Sequence, residues 1–86
     1  MKTVIATGGF DPLHSGHIDY FKAARELGDR LWVGVNSDEW LTRKKGQPFM
    51  NYKERLSIIE NLQMVDQVIP VINDHKQDDA SGAIFY

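Results

Sequence analysis

A short apolar run, Val4-Ile5-Ala6, leads into Gly8-Gly9-Phe10-Asp11-Pro12-Leu13-His14-Ser15-Gly16-His17, and an amphipathic stretch with Ile18, Phe21 and Ala24 follows. The partly β-branched run reads as a buried strand, spanning about Lys2 to Thr7. Pro12 bars a helix through the turn, and Gly16 gives the backbone freedom just before His17. From His17 to Leu27 the apolar positions recur at helical spacing, and Gly28 is placed as a C′ stop. Strand, glycine turn and helix start together present backbone N–H groups and a positive helix end to an anion. This junction restricts the chain to folds in which a strand hands over to a helix across a ligand-facing edge.

The remainder continues that alternation. Arg30 to Asn36 has a nearly unbroken apolar centre and reads as a second strand, so the first helix closes a βαβ unit with parallel strands and a right-handed crossover. Ser37-Asp38-Glu39-Trp40-Leu41 reads as a short helical turn capped by Ser37 or Asn36, and Thr42 to Met50 as a mobile basic loop carrying Gly46 and Pro48. Asn51 with Glu54 three residues on resembles a capping box, opening a helix to about Leu62. Val65 to Val71 reads as a third strand that Pro70 places near an edge. A further helix is expected over Ala80 to Tyr86, capped by Asp78 or Asp79. It has no stop signal, so residues 1–86 are read as a single domain incomplete at its C-terminus. The fold class expected is α/β: a Rossmann-like, three-layer αβα arrangement on a thin parallel sheet. An open sheet edge of that kind needs a partner chain or further sequence to cover it.

Composition narrows the chemistry. Ten Lys and Arg stand against twelve Asp and Glu in 86 residues, a balance that favours neither nucleic acid nor a membrane surface as partner. With no cysteine, disulfides, thiolate catalysis and Cys-ligated zinc are excluded. No apolar run reaches the ~20 residues of a membrane span, and there is no signal-peptide core, which leads to the expectation of a soluble, cytoplasmic protein.

In an open parallel sheet, ligands bind outside the carboxyl ends of the strands. The Gly8–His17 turn, Asn36-Ser37-Asp38 and the segment after the third strand belong to that edge. Gly8 and Gly9 allow close backbone approach to a phosphate, and His14 and His17 can donate to its oxygens. Lys44 and Lys45 in the basic segment can reach the same phosphates, with Arg43 and Arg55 near in sequence. Phosphoryl or nucleotidyl transfer calls for charge stabilisation and alignment of anions more than for a protein nucleophile.

The same residues admit other chemistries. His14 and His17 with His75 could ligate zinc, but no HExxH context or cysteine accompanies them. Arg43-Lys44-Lys45 could be only a solvated cluster, and Arg55 only a surface residue paired with Glu54 or Asn51. Trp32 and Trp40 fit packing better than base stacking. Ser15 lacks a G-x-S-x-G elbow, and neither G-x-G-x-x-G nor a Walker A loop is present, which disfavours a serine hydrolase and a dinucleotide or P-loop site.

His14-Ser15-Gly16-His17, preceded by Gly9-Phe10-Asp11, resembles the HxGH signature of cytidylyltransferase-like nucleotidyltransferases. The likeness continues through Asn36-Ser37-Asp38, the Lys44 segment, the Arg55 helix and Val65-Asp66-Gln67-Val68-Ile69-Pro70. In pattern it is nearest to glycerol-3-phosphate cytidylyltransferases and the adenylyltransferase domains that make ADP-heptose. The resemblance implies transfer of CMP or AMP from CTP or ATP to a small phosphorylated alcohol or sugar, such as glycerol 3-phosphate, with release of pyrophosphate. It implies Mg2+ carried on the nucleotide phosphates, and a homodimer. It further implies nucleotide binding by Gly8, Gly9, Phe10, Asp11, His14, Gly16 and His17, catalytic roles for His14, His17 and Lys44, and substrate contacts by Lys44 and Arg55. The family's second signature, resembling Ile-Ser-Thr-Ser/Thr, has no counterpart in this sequence, Gly9 stands where many relatives have Thr, and Gly46 where a second lysine is common. Two alternatives accompany this reading: a non-catalytic nucleotide- or phosphate-binding module, and a fragment that folds by dimerising.

Overall fold

The computed structural model describes residues 1–71, so the expected helix over Ala80 to Tyr86 and the position of His75 lie outside the described residues. Six elements follow in order: β1 (Thr3–Gly8), α1 (Ser15–Arg25), β2 (Arg30–Val35), α2 (Asp38–Lys45), α3 (Tyr52–Glu60) and β3 (Gln67–Pro70). The strands form one parallel sheet in the order β1-β2-β3, with Ala6 opposite Val33, Gly8 opposite Val35 and Val35 opposite Pro70. The α/β class and parallel sheet expected from the alternating pattern are the ones observed. Among the described residues Pro70, which has no N–H for a ladder, sits on the outer strand of the sheet, as expected.

One sheet face carries the core. Ala6, Leu31, Val33 and Val35 are buried with Phe21 and Ala24 of α1, Ile59 of α3, and Phe10. The next residues along β1, Ile5 and Thr7, are exposed, which is the two-residue alternation of a strand covered on one side. Burying a Phe or Leu side chain contributes roughly 1.5–3 kcal/mol, so α1 and α3 are held mainly by this stripe rather than by helix propensity.

Three boundaries differ from expectation. The helix α1 begins at Ser15, with His14 as its N-cap, and ends at Arg25 with Glu26 as C-cap, so Gly28 is not its stop. Gly28 instead lies close against the start of β1: a Cβ there would fall 2.8 Å from Val4 Cγ2 and 2.9 Å from the Lys2 carbonyl oxygen. The basic run expected in a mobile loop is the last turn of α2, which extends four residues past Leu41. Arg43, Lys44 and Lys45 suit that position because their charges face the negative end of the helix, and Gly46 ends the helix at φ 96°. The caps themselves were legible: Ser37 Oγ accepts from the Trp40 N–H at 3.0 Å, and Asn51 Oδ1 from the Glu54 N–H at 2.9 Å.

Candidate nucleotide-binding site

The two histidines are built into the start of α1 by the helix's own unpaired N–H groups. His14 Nδ1 accepts from the Gly16 N–H at 3.0 Å, and His17 Nδ1 accepts from the His14 N–H at 3.3 Å. This is a capping box made by two imidazoles. A neutral ring that accepts at Nδ1 carries its proton on Nε2, so both rings keep one N–H donor on the edge away from the helix. The rings lie 4.1 Å apart, tilted by 35°. His14 is exposed, whereas His17 is buried and meets the edge of Phe10 at 5.3 Å. Burial lowers the His17 pKa below the ordinary 6.5, and the neighbouring His14 ring adds to that lowering.

The turn before them is fixed from behind. Phe10 adopts φ 53°, an uncommon conformation for a residue with a side chain, while its ring is fully buried against His17 and Phe21. The Gly8 carbonyl accepts from the Asn36 N–H at 3.0 Å, and the Gly9 carbonyl from Arg55 Nη1 at 2.8 Å. C=O and N–H point in opposite directions across a trans peptide. The Gly9 N–H is therefore directed away from β2, and the Phe10 N–H away from Arg55. The sheet edge thus supplies two oriented amides next to the helix N-terminus, the arrangement an anion requires.

Arg55 organises this edge. It is fully buried, and its guanidinium donates to the carbonyls of Gly9 (2.8 Å), Asn36 (2.6 Å) and Met50 (3.0 Å) and to Asp38 Oδ1 (2.8 Å). Its acidic partner is Asp38, and neither Glu54 nor Asn51 accepts from that guanidinium. This side chain, expected either to contact substrate or to lie at the surface, is the tie between β1, β2 and the segment preceding α3. Asp11 forms a second tie. Buried at 1% exposure, it accepts from the N–H groups of Phe49 (2.7 Å) and Met50 (2.6 Å) and pairs with Lys45 Nζ at 2.7 Å. Burial alone would raise its pKa, but the Lys45 ammonium and the two N–H donors outweigh it and hold the carboxyl below the ordinary 3.8.

The structure therefore brings Gly8, Gly9, Phe10, Asp11, His14, Gly16 and His17 into one turn, with Arg55 behind it. Lys44 lies on α2 with its ammonium 5.7 Å from the centre of the Trp40 ring, and it is Lys45 that reaches the turn. The sequence places both lysines in a loop and singles out Lys44 as the ligand-contacting one. Helix phase alone does not separate them, since Lys44 follows the buried Trp40 and Lys45 the buried Leu41 by four residues each; the contact with Asp11 is what distinguishes Lys45. Asn36, at 1% exposure, was noted for its place but not for its buried carbonyl. Beyond the ends of β2 and β3 lies a cavity of about 460 Å³ lined by Val35, Ser37, Asp38, Glu39, Tyr52, Pro70 and Val71. Among the described residues no group of three His, Cys, Asp or Glu is arranged to hold a metal ion, and no helix is long and apolar enough to cross a membrane.

A parallel α/β sheet carries at its carboxyl edge a glycine turn and a helix capped by both histidines of an HxGH motif. The chain belongs to the cytidylyltransferase-like family, whose pattern matches residues 5–79. It is 45% identical over 78 residues to the bifunctional protein HldE of Haemophilus influenzae, and 44% identical to those of Shewanella sediminis and Vibrio cholerae. In each case the match takes in 88% of this chain and 16% of the relative. A lipopolysaccharide core biosynthesis protein from Thermoplasma volcanium superposes with a TM-score of 0.79 at 38% identity, covering 90% of this chain and 65% of that one. The chain spans about a sixth of the length of the curated relatives it matches.

Proposed function

We propose that this domain transfers CMP or AMP from CTP or ATP to the phosphate of a small phosphorylated alcohol or sugar. An acceptor phosphate oxygen attacks the α-phosphorus, the bond from that phosphorus to the bridging oxygen breaks, and pyrophosphate leaves. The observation that supports this reading is the capping box of His14 and His17, whose Nδ1 atoms are taken by main-chain N–H groups so that each neutral ring carries its proton on Nε2 at the start of α1. Preorganised donors of that kind stabilise charge that develops during transfer and need no protein nucleophile.

In this scheme Gly8, Gly9, Phe10 and Gly16 supply main-chain contact to the triphosphate, and His14 and His17 donate to the α-phosphate and the departing pyrophosphate. Lys44 brings positive charge from the last turn of α2 to the acceptor phosphate. Asp11 and Arg55 act by holding the turn. Magnesium is proposed to arrive on the triphosphate, which suits a donor set whose carboxylates, Asp11 and Asp38, are already engaged by Lys45 and Arg55. When bound, the ion offsets phosphate charge. The cavity beyond β2 and β3 is proposed for the acceptor. A sugar phosphate is favoured there by the likeness to a protein of lipopolysaccharide core biosynthesis. A homodimer is proposed as the assembly that covers the open sheet edge.

Pyrophosphate release from CTP and from ATP, measured with glycerol 3-phosphate and a panel of sugar phosphates, tests the proposal. One acceptor and one nucleotide should support turnover, and His14→Ala and His17→Ala should each lower it ~100-fold or more. Wild-type rates in both variants contradict the mechanism. Nucleotide binding that depends on His14 without any pyrophosphate release establishes a binding module instead.

A further inference from the structure

Phe10, in its left-handed conformation, stands between two carbonyls that are each taken by a cation: Gly9 O by Arg55 at 2.8 Å and Asp11 O by Lys45 at 2.7 Å. Residues in sparsely populated backbone regions persist only where their surroundings over-determine them. Arg55 does this from the protein interior. Lys45 does it from the end of α2, and it binds both the carbonyl and the carboxylate of the same residue. Its ammonium also lies 4.3 Å from the centre of the Phe49 ring, and Phe49 in turn donates its N–H to Asp11. One side chain thereby joins the glycine turn, the end of α2 and the segment that enters α3.

We propose that Lys45 is a positioning residue: a latch on Asp11 that sets the path of residues 8–11 and so aims the Gly9 and Phe10 amides at the nucleotide phosphates. This rests on the nucleotidyl-transfer reading for its ligand, but the latch itself is a property of the ligand-free protein. Removing Lys45 leaves Asp11 hydrogen-bonded by the N–H groups of Phe49 and Met50 but without its counter-ion.

The test compares the wild-type chain with Lys45→Met and Lys45→Arg, by amide resonances of Gly9 and Phe10 without ligand and by calorimetric titration with CTP and ATP. The expected result is that Lys45→Met moves both resonances and weakens triphosphate binding about tenfold, the loss of one charge-assisted contact. Lys45→Arg restores both readouts in large part. Unmoved resonances in Lys45→Met overturn the proposal: with weakened binding they make Lys45 a direct phosphate ligand, and with unchanged binding they make it irrelevant to the site. Moved resonances with unchanged affinity also overturn it. If Lys45→Met does not fold, Lys45→Gln, which keeps an N–H donor without the charge, is judged by the same criteria. A wild-type chain that binds neither nucleotide defeats the nucleotidyl-transfer reading, while the resonances still decide whether the latch exists.

Discussion

Main-chain N–H groups hold His14 and His17 in one tautomer: the Gly16 N–H occupies Nδ1 of the first at 3.0 Å, and the N–H of His14 occupies Nδ1 of the second at 3.3 Å. The signature histidines are thus helix caps as well as candidate ligand donors. Protonating Nδ1 would set one N–H against another and open the cap. The site is accordingly built to work with neutral rings that donate through Nε2–H.

The two jobs of His14 separate in one substitution. His14→Asn retains a side-chain oxygen that can cap α1, so its melting temperature should stay near wild type, while nucleotide binding is lost with the imidazole donor. His14→Ala should lose both, the cap being worth ~1 kcal/mol. Thermal melts alongside nucleotide titrations check this. Retained binding in His14→Asn would show that the imidazole itself is not needed.

Arg55 should behave as a structural charge. Arg55→Met leaves three carbonyls without this donor, each buried acceptor so orphaned costing about 1–3 kcal/mol, while the half-exposed Asp38 turns to water. Arg55→Lys keeps the charge but not the planar fork, and should recover only part of the loss. Denaturant titration measures both. A variant as stable as wild type would mean that the edge is held by other contacts.

Acid should weaken the fold in two windows. His17 and Asp11 both have folded pKa values below their ordinary ones, so each binds fewer protons folded than unfolded, and stability rises with pH across each window. The His17 share is complete above 6.5 and is lost as pH falls from there through its lowered value. The Asp11 share is complete above 3.8 and is lost below that. Melting temperature against pH should show both declines, and His17→Gln should remove only the upper one. An upper decline that survives in His17→Gln would assign it to another group.

Two glycines differ in what an added methyl would meet. At Gly46 the space is open and φ is 96°, so Gly46→Ala should cost only the backbone penalty, about 1–2 kcal/mol. At Gly28 the new carbon would press on the Lys2 carbonyl and Val4, so Gly28→Ala should cost about 1–3 kcal/mol by overcrowding and shift β1 against α1. Equal, negligible losses would contradict both accounts.

The strand-turn-helix junction, the parallel sheet and the Ser37 and Asn51 caps could be read from sequence because each depends on local pattern or on one side chain meeting the next turn. Arg55 and Asp11 could not, because their partners lie as far as 46 and 39 residues away along the chain. Nothing local distinguishes an arginine that holds carbonyls from one that faces water. Gly28 was misread for a related reason: a stop and a close approach to a distant strand both select glycine. The part played by Lys45 could not be read either, because its partner Asp11 lies 34 residues away along the chain.

The most direct test of the account is the nitrogen spectrum of the two imidazoles, recorded at neutral pH with and without CTP or ATP. Both rings should show a protonated Nε2 and an unprotonated Nδ1 in the free protein, and both Nε2 signals should move on nucleotide addition while Nδ1 stays unprotonated. Nε2 signals that do not respond to saturating nucleotide, or rings protonated at Nδ1 instead, would contradict the claim that the HxGH cap is the phosphate site.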